Sequence, residues 1–256
     1  MIAATPIADA RATSPLGRTS PITKLGVAVV WLIGLAFTSA FLPPLVLVLS
    51  AVLGGWLLGR IAPLDFLRAV APLWFVAGIV VLSNALLSAA NTDTLATEVL
   101  RIGPLRLTEE ALRAAFGIGL RVVAIASVGA VFALTTEPTR LVDALVQQLH
   151  VSERFGYGAL AAYQSIPRFA DDLTTLRQAR RMRGLRGDWH PRILINLLVL
   201  AIRHGDRVAL SMDARGFGSG PRSRYREVPW TWLDGGVALG GLVILAIALW
   251  LATAPM

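Results

Sequence analysis

Two arginines offer the clearest chemistry in the sequence. Arg183 precedes Gly184 in QARRMRGLRG (178–187), and Arg215 precedes Gly216 in SMDARGFGSG (211–220). A guanidinium is permanently charged and presents five N–H donors in a planar fork, which suits carboxylates and carbonyls. Glycine is the preferred residue just past a helix end because it takes positive φ freely. An arginine in the last turn also complements the negative end of the helix dipole. Each Arg-Gly pair therefore reads as a cationic helix tip, and its chemistry is recognition rather than catalysis.

The spacing repeats. Arg183 lies seven residues after Leu176, and Arg215 seven after Val208. Seven residues is close to two turns, so each arginine extends an apolar stripe to the tip of its helix. The two pairs form a near-repeat at an offset of 32 residues, from 183 to 215. Three readings stay open at this level. The arginines cap their helices, or they snorkel to phosphates at a membrane boundary, or they dock onto a partner with two equivalent acidic or carbonyl-lined grooves, such as a dimer.

Other constellations fail on chemistry. The FGSG at 217–220 is no phosphate loop, because that loop needs a lysine for the β/γ-phosphates and Lys24 is the only lysine in the chain. His150, His190 and His204 are too scattered for a helical metal pair. Asp171 and Asp172 are adjacent and point apart on a helix; a solvated face or a pairing with Arg168 is expected. Tyr157 and Tyr163 are expected to pack. With no cysteine, disulfides, thiolate metal sites and Cys nucleophiles are excluded. No cofactor is expected.

These tips must be positioned by a chain of unusual composition. Its 256 residues are 55% hydrophobic and only 16% charged, with a mean hydropathy of +0.64, whereas soluble domains are nearer a quarter charged. Long apolar stretches fall at 25–42, 44–58, 70–87, 111–134 and 237–251. About 20 helical residues cross a bilayer core, so the expected fold is an all-α polytopic membrane protein of about five spans. Residues 1–23, with Pro, Ser and Thr and no apolar core, are expected to form a flexible cytoplasmic tail rather than a signal peptide.

Charge sets the expected topology. Arg11, Arg18 and Lys24 precede the first span, and Arg60 and Arg68 flank the loop after the second. By the bias of Lys and Arg toward the inner side, the N-terminus is inside. Residues 91–110 are polar and mixed in charge, which suits an external segment with a surface helix. Spans one to four then occupy 24–135, and the last span 229–256. Arg121 falls mid-span, where a charge costs roughly 2.5–3.5 kcal/mol; Asn84 and a neighbouring subunit are the candidate partners.

Between spans four and five, residues 136–228 form a basic inner module with fifteen arginines against nine acids, a net charge of +6. An amphipathic helix is expected from Pro138 through Leu149, and a long one over 153–183 with Phe169, Leu173 and Leu176 on one face. Another runs to Arg215, capped by Asp188, with Pro191 in its first turn and the stripe Leu198, Ile202, Val208 and Met212. Apolar stripes interleaved with arginine speak against a nucleic-acid surface. A membrane enzyme acting on anionic lipid would need polar catalytic groups at one depth, and none is found.

SMDARGFG resembles the second Ala-Arg-Gly signature of the transmembrane T component (EcfT) of energy-coupling factor (ECF-type) ABC transporters, the CbiQ/BioN-like family. The first signature is altered here to Met182-Arg183-Gly184. Thr135-Thr136-Glu137-Pro138 with Leu141, Ala144 and Leu145, and Pro21-Ile22-Thr23-Lys24-Leu25, resemble two further stretches of the family. The resemblance runs from about Pro21 to the C-terminus. It implies a non-catalytic subunit of a vitamin or metal-ion importer in the plasma membrane. Two ABC ATPase subunits and a substrate-binding S component would be its partners. It also implies that Arg183, Gly184, Ala214, Arg215 and Gly216 dock the ATPases, with Ala179 and Arg180 as auxiliary coupling residues.

Overall fold

The computed structural model describes residues 14–38, 40–88, 91, 97–102, 105–185, 190–220 and 226–253. Along the chain, α1 is Pro15–Arg18, α2 Pro21–Ala36, α3 Leu42–Leu57 and α4 Pro63–Leu87. Two strands follow, β1 (Glu98–Ile102) and β2 (Leu105–Thr108), then α5 (Glu109–Thr135), α6 (Pro138–Gln148) and α7 (Glu153–Gln164). The last elements are α8 (Ile166–Met182), α9 (Pro191–Ala214) and α10 (Trp232–Thr253). The chain divides into two compact units, one of Met1–Glu137 with Pro229–Met256, the other of Pro138–Val228.

The first unit is a helical bundle. α4, α5 and α10 are long and apolar enough to cross a membrane, while the apolar α2 and α3 have 16 residues each. At 1.5 Å per residue these two reach about 24 Å, short of a hydrocarbon core of about 30 Å. Among the described residues there are thus five apolar helices, two of them shorter than the usual span. The chain is an all-α polytopic membrane protein, with one small departure.

That departure lies at 98–108, where a surface helix was expected. An antiparallel strand pair forms instead, with Ile102 opposite Leu105 and Arg101 opposite Arg106. The alternation Leu105-Arg106-Leu107-Thr108 has the period of a strand, not of a helix. Asn91 accepts from the Thr108 N–H at 3.0 Å and from its hydroxyl at 3.2 Å, while Thr108 Oγ1 caps α5 by accepting from Ala111 N–H.

Trp31, Leu35, Leu47, Ala51, Ala124, Val128 and Leu245 form the core of this bundle. Small residues let the helices approach, as in membrane packing generally. A Cβ on Gly119 would lie 2.2 Å from Val81, and one on Gly241 2.6 Å from Val27. At the second of these contacts Trp31 Nε1 donates to the Gly241 carbonyl at 2.8 Å.

Part of the expected tail is folded. Ser14, Thr19 and Ser20 are almost wholly buried, and the Leu16 N–H donates to the Leu58 carbonyl. The Asp234 carboxylate, itself buried in the first turn of α10, accepts from the Ser20 N–H and from the Thr231 N–H and hydroxyl. Lys24 Nζ donates to the Thr135 carbonyl at 2.9 Å. These bonds tie the segment before α2 to α5 and α10. Residues 1–13 lie outside the described residues.

Candidate docking site at two helix ends

The second unit holds all the candidate residues. The single long helix expected over 153–183 is two helices, α7 and α8, separated at Ser165. Pro167 explains the break, since proline lacks an N–H and its ring clashes with the carbonyl four residues earlier. Ser165 Oγ turns back onto the Ala161 carbonyl at 2.8 Å. α9 begins with His190 as its cap, Nδ1 accepting from the Arg192 N–H at 3.1 Å. This corrects the expectation of an Asp188 cap; Asp188 lies outside the described residues.

The two tips match bond for bond. At the end of α8 the Gly184 N–H closes on the Arg181 carbonyl at 3.0 Å, and the Leu185 N–H on Arg180 at 3.2 Å. At the end of α9 the Gly216 N–H closes on Asp213 at 2.8 Å, and the Phe217 N–H on Met212 at 3.0 Å. Both glycines sit at positive φ, +70° and +68°, the left-handed conformation this closure demands. Arg183 and Arg215 are the cap residues, with φ, ψ of −85°, 10° and −91°, 9°. Both arginines are exposed, as are Ala179 and Ala214. Arg180 is half-buried, and its Nε and that of Arg177 have no hydrogen-bond partner among the described residues.

The crossing of α8 and α9 sets the distance between the tips. Ser165 Oγ lies 3.1 Å from His204 Nε2, and the Phe169 and His204 rings meet edge to face at 6.0 Å. From this crossing Arg183 lies about 24 Å along α8 and Arg215 about 16 Å along α9, at 1.5 Å per residue. Pro191 lies about 20 Å back along α9, and eight residue steps from Arg183 span at most about 28 Å. That triangle makes the two C-terminal arms diverge by more than about 100° and sets the arginines roughly 30–40 Å apart.

The second tip is braced from behind. Arg154 of α7 donates to the Gly218 carbonyl at 3.1 Å, and Phe217 packs edge to face on Tyr157, centroids 6.5 Å apart. Tyr157 in turn donates to Asp143 Oδ1 at 3.0 Å, so α6, α7 and the turn after α9 form one chain of contacts. Sequence reading placed Tyr157 as a packing residue but missed Arg154 and Phe217. The aromatic just past the glycine is the signal that could have found Phe217, because the position after the glycine often makes an apolar contact with the helix.

Other expected sites resolve plainly. His150 and His190 are exposed, and no group of three metal-ligating side chains occurs among the described residues. Asp171 is exposed and Asp172 half-buried; neither pairs with Arg168. Arg121 is half-buried in α5, and its Nε has no hydrogen-bond partner among the described residues. The pairing with Asn84 is not made; the Asn84 amide donates to the Val80 carbonyl of its own helix at 2.9 Å.

A family profile described as "Cobalt transport protein" (CbiQ) matches residues 13–226. The chain belongs to the CbiQ family. Proteins named energy-coupling factor transporter transmembrane protein EcfT are similar to it over most of its length. The Lactococcus lactis protein is 27% identical over 253 residues, covering 92% of each chain, and that of Heliobacterium modesticaldum 26% over 264 residues, covering 93% of each. The Streptococcus thermophilus protein is 30% identical over 165 residues, 58% of this chain and 61% of the relative. A Bifidobacterium longum protein named a putative ABC transporter ATP-binding protein is 26% identical over 182 residues, 65% of this chain and 23% of that protein. The family is one of transmembrane components of energy-coupling factor transporters, which are transporter subunits rather than enzymes.

Proposed function

We propose that this CbiQ-family chain couples ATP hydrolysis by two ABC ATPase subunits to a substrate-binding membrane subunit, in an importer of a vitamin or a metal ion such as cobalt. Arg183 and Arg215 dock the ATPases, each entering one groove. The observation that carries this reading is the matched pair of closed helix ends, each presenting an exposed arginine, and helix geometry sets them roughly 30–40 Å apart. Similarity to part of a much longer protein named for ATP binding supports ATPases as the partner class. Ala214 and Met182 keep the flank of each arginine small or flexible, and Gly184 and Gly216 close the turn. Arg180 lies one turn before the first tip, half-buried, and supports its position as an auxiliary coupling residue.

The substrate-binding subunit takes the apolar face of α9. Ile195, Leu198, Val199 and Ile202 follow helical spacing and are all exposed, an arrangement that normally marks a partner surface. The module at 136–228 lies on the cytoplasmic side in this reading, with the N-terminus inside the plasma membrane, as the placement of arginine suggests. Charge reversal at both tips, Arg183→Glu with Arg215→Glu, is expected to abolish ATPase co-purification while the chain stays membrane-inserted. Retained binding by the inserted double variant would overturn the docking assignment.

A further inference from the structure

A second site lies in the bundle. A cleft of about 350 Å³ runs between α2, α3, α5 and α10. On α2 it is lined by Lys24, Val27, Ala28 and Trp31, and on α5 by Val128, Val131, Phe132 and Thr135. Both sets span seven residues, so the cleft runs parallel to the helices for about 10 Å. One end is cationic. Lys24 lines it with Nζ on the Thr135 carbonyl, and Arg18 and Arg60 are exposed close in sequence to the lining residues Thr19 and Leu58. The other end is apolar. No acidic side chain lines the cleft; the nearby Asp234 is held by Ser20 and Thr231.

Size decides what fits. A volume of about 350 Å³ lies at the lower end of ligand sites, about 300–1,000 Å³. It is room for one hydrocarbon chain rather than for a whole lipid. The walls provide the apolar lining and sparse polar groups that a built ligand site has, and the α2, α3, α5 and α10 ends at the Lys24 side all belong to one face of the bundle.

We propose that the cleft holds one acyl chain of an anionic membrane phospholipid, with the phosphate at Lys24 and the chain lying toward Trp31. The bilayer delivers this ligand in the right orientation, headgroup at the helix ends and chain along them. Glycine supplies the room: positions 54 and 240 line the cleft, and a Cβ at either meets nothing within 4 Å.

The test uses the full chain with Trp31 as its only tryptophan, the other six being replaced by Phe, in phosphatidylcholine vesicles. A fraction of the lipid is brominated phosphatidylglycerol or, in parallel, brominated phosphatidylcholine, whose bromines quench indole fluorescence on contact. Trp31 is expected to be quenched by both and to show about fivefold preference for the anionic lipid, the increment of one lysine near a charged headgroup. Lys24→Gln should erase the preference and Lys24→Arg keep it, with helical circular dichroism confirming that each variant is folded. Gly240→Leu should fill the cleft and lower quenching by both lipids. An unquenched Trp31 would overturn the proposal. So would equal quenching by the two lipids that Lys24→Gln leaves unchanged, the mark of an unselective annular shell. Quenching that disappears when the ATPases and substrate-binding subunit assemble would also overturn it, by giving the cleft to a partner.

Discussion

Replacing the closing glycines by alanine separates the shape of the tips from their charge. Gly184 and Gly216 are held at φ of +70° and +68°, where an L-residue costs roughly 1–2 kcal/mol. A restricted unfolded chain gives back up to about 1 kcal/mol, so the net strain at each tip is about 1 kcal/mol. At Gly184 the added Cβ meets nothing within 4 Å, and the strain is purely backbone. At Gly216 it comes within 3.0 Å of Ser219 Oγ, whose hydroxyl donates to the Gly216 carbonyl at 2.7 Å, so that bond must shift too. The cheapest relief is to unwind the last turn, which lets go of Arg183 or Arg215. A bias of about 1 kcal/mol lowers the docking-competent fraction by up to about fivefold, and apparent affinity falls in proportion. Tips this far apart act independently, so the double variant should lose up to about 25-fold. The assay is a titration of purified ATPase onto the chain in nanodiscs, read by interferometry, for Gly184→Ala, Gly216→Ala, both together, and Gly184→Asn. Asparagine visits the left-handed region readily and should bind nearly as well as glycine. Wild-type affinity for the alanine double variant, alongside loss of binding on charge reversal, would refute the idea that the closed turn aims the arginine. Equal loss for Ala and Asn would mean that the glycine is a contact rather than a conformational requirement.

Two further outcomes follow from the first unit. Asp234→Ala removes the acceptor of the buried Ser20 N–H, a loss of about 1–3 kcal/mol; the midpoint of thermal unfolding in detergent should fall, and an unchanged midpoint would show that the N-terminal segment is not anchored there. Arg121→Leu removes a buried Nε that has no partner among the described residues, so the isolated chain should be as stable or more so; co-purification with partner subunits then tells whether the guanidinium meets one of them, and a less stable isolated chain would sink this reading.

What the sequence made legible was local. The stripe ending in Arg-Gly is written within nine residues, and helix closure depends on local sequence. Both turns therefore close where the pattern places them, on Gly184 and Gly216. The apolar helices were legible for a similar reason, since burial in lipid constrains composition along a continuous run. The break at Ser165 was also written locally, in Pro167, but the stripe of Phe169, Leu173 and Leu176 concealed it because amphipathic spacing continues on either side of a kink. The strand pair at 98–108 was missed because charged and apolar residues alternate there over too few positions to stand out. Asp234 was invisible for a different reason. Its partner Ser20 is 214 residues away, and no periodicity reports a bond between chain ends.

The crossing at His204 gives the two tips unequal leverage. Arg183 stands about 24 Å from it and Arg215 about 16 Å, so one rotation of α8 against α9 moves the first tip half as far again as the second. The fulcrum is polar, a Ser165–His204 hydrogen bond beside an edge-on ring pair, and Ser165 is also the point where α7 and α8 part. The arm that moves further thus begins at the break, while the shorter arm ends in a turn braced by Arg154 and Phe217. If each tip docks a separate ATPase, as proposed above, matching tips would do different work. The α9 end would hold its subunit on a stiff mount, and the α8 end would convert closing of the ATPases into rotation.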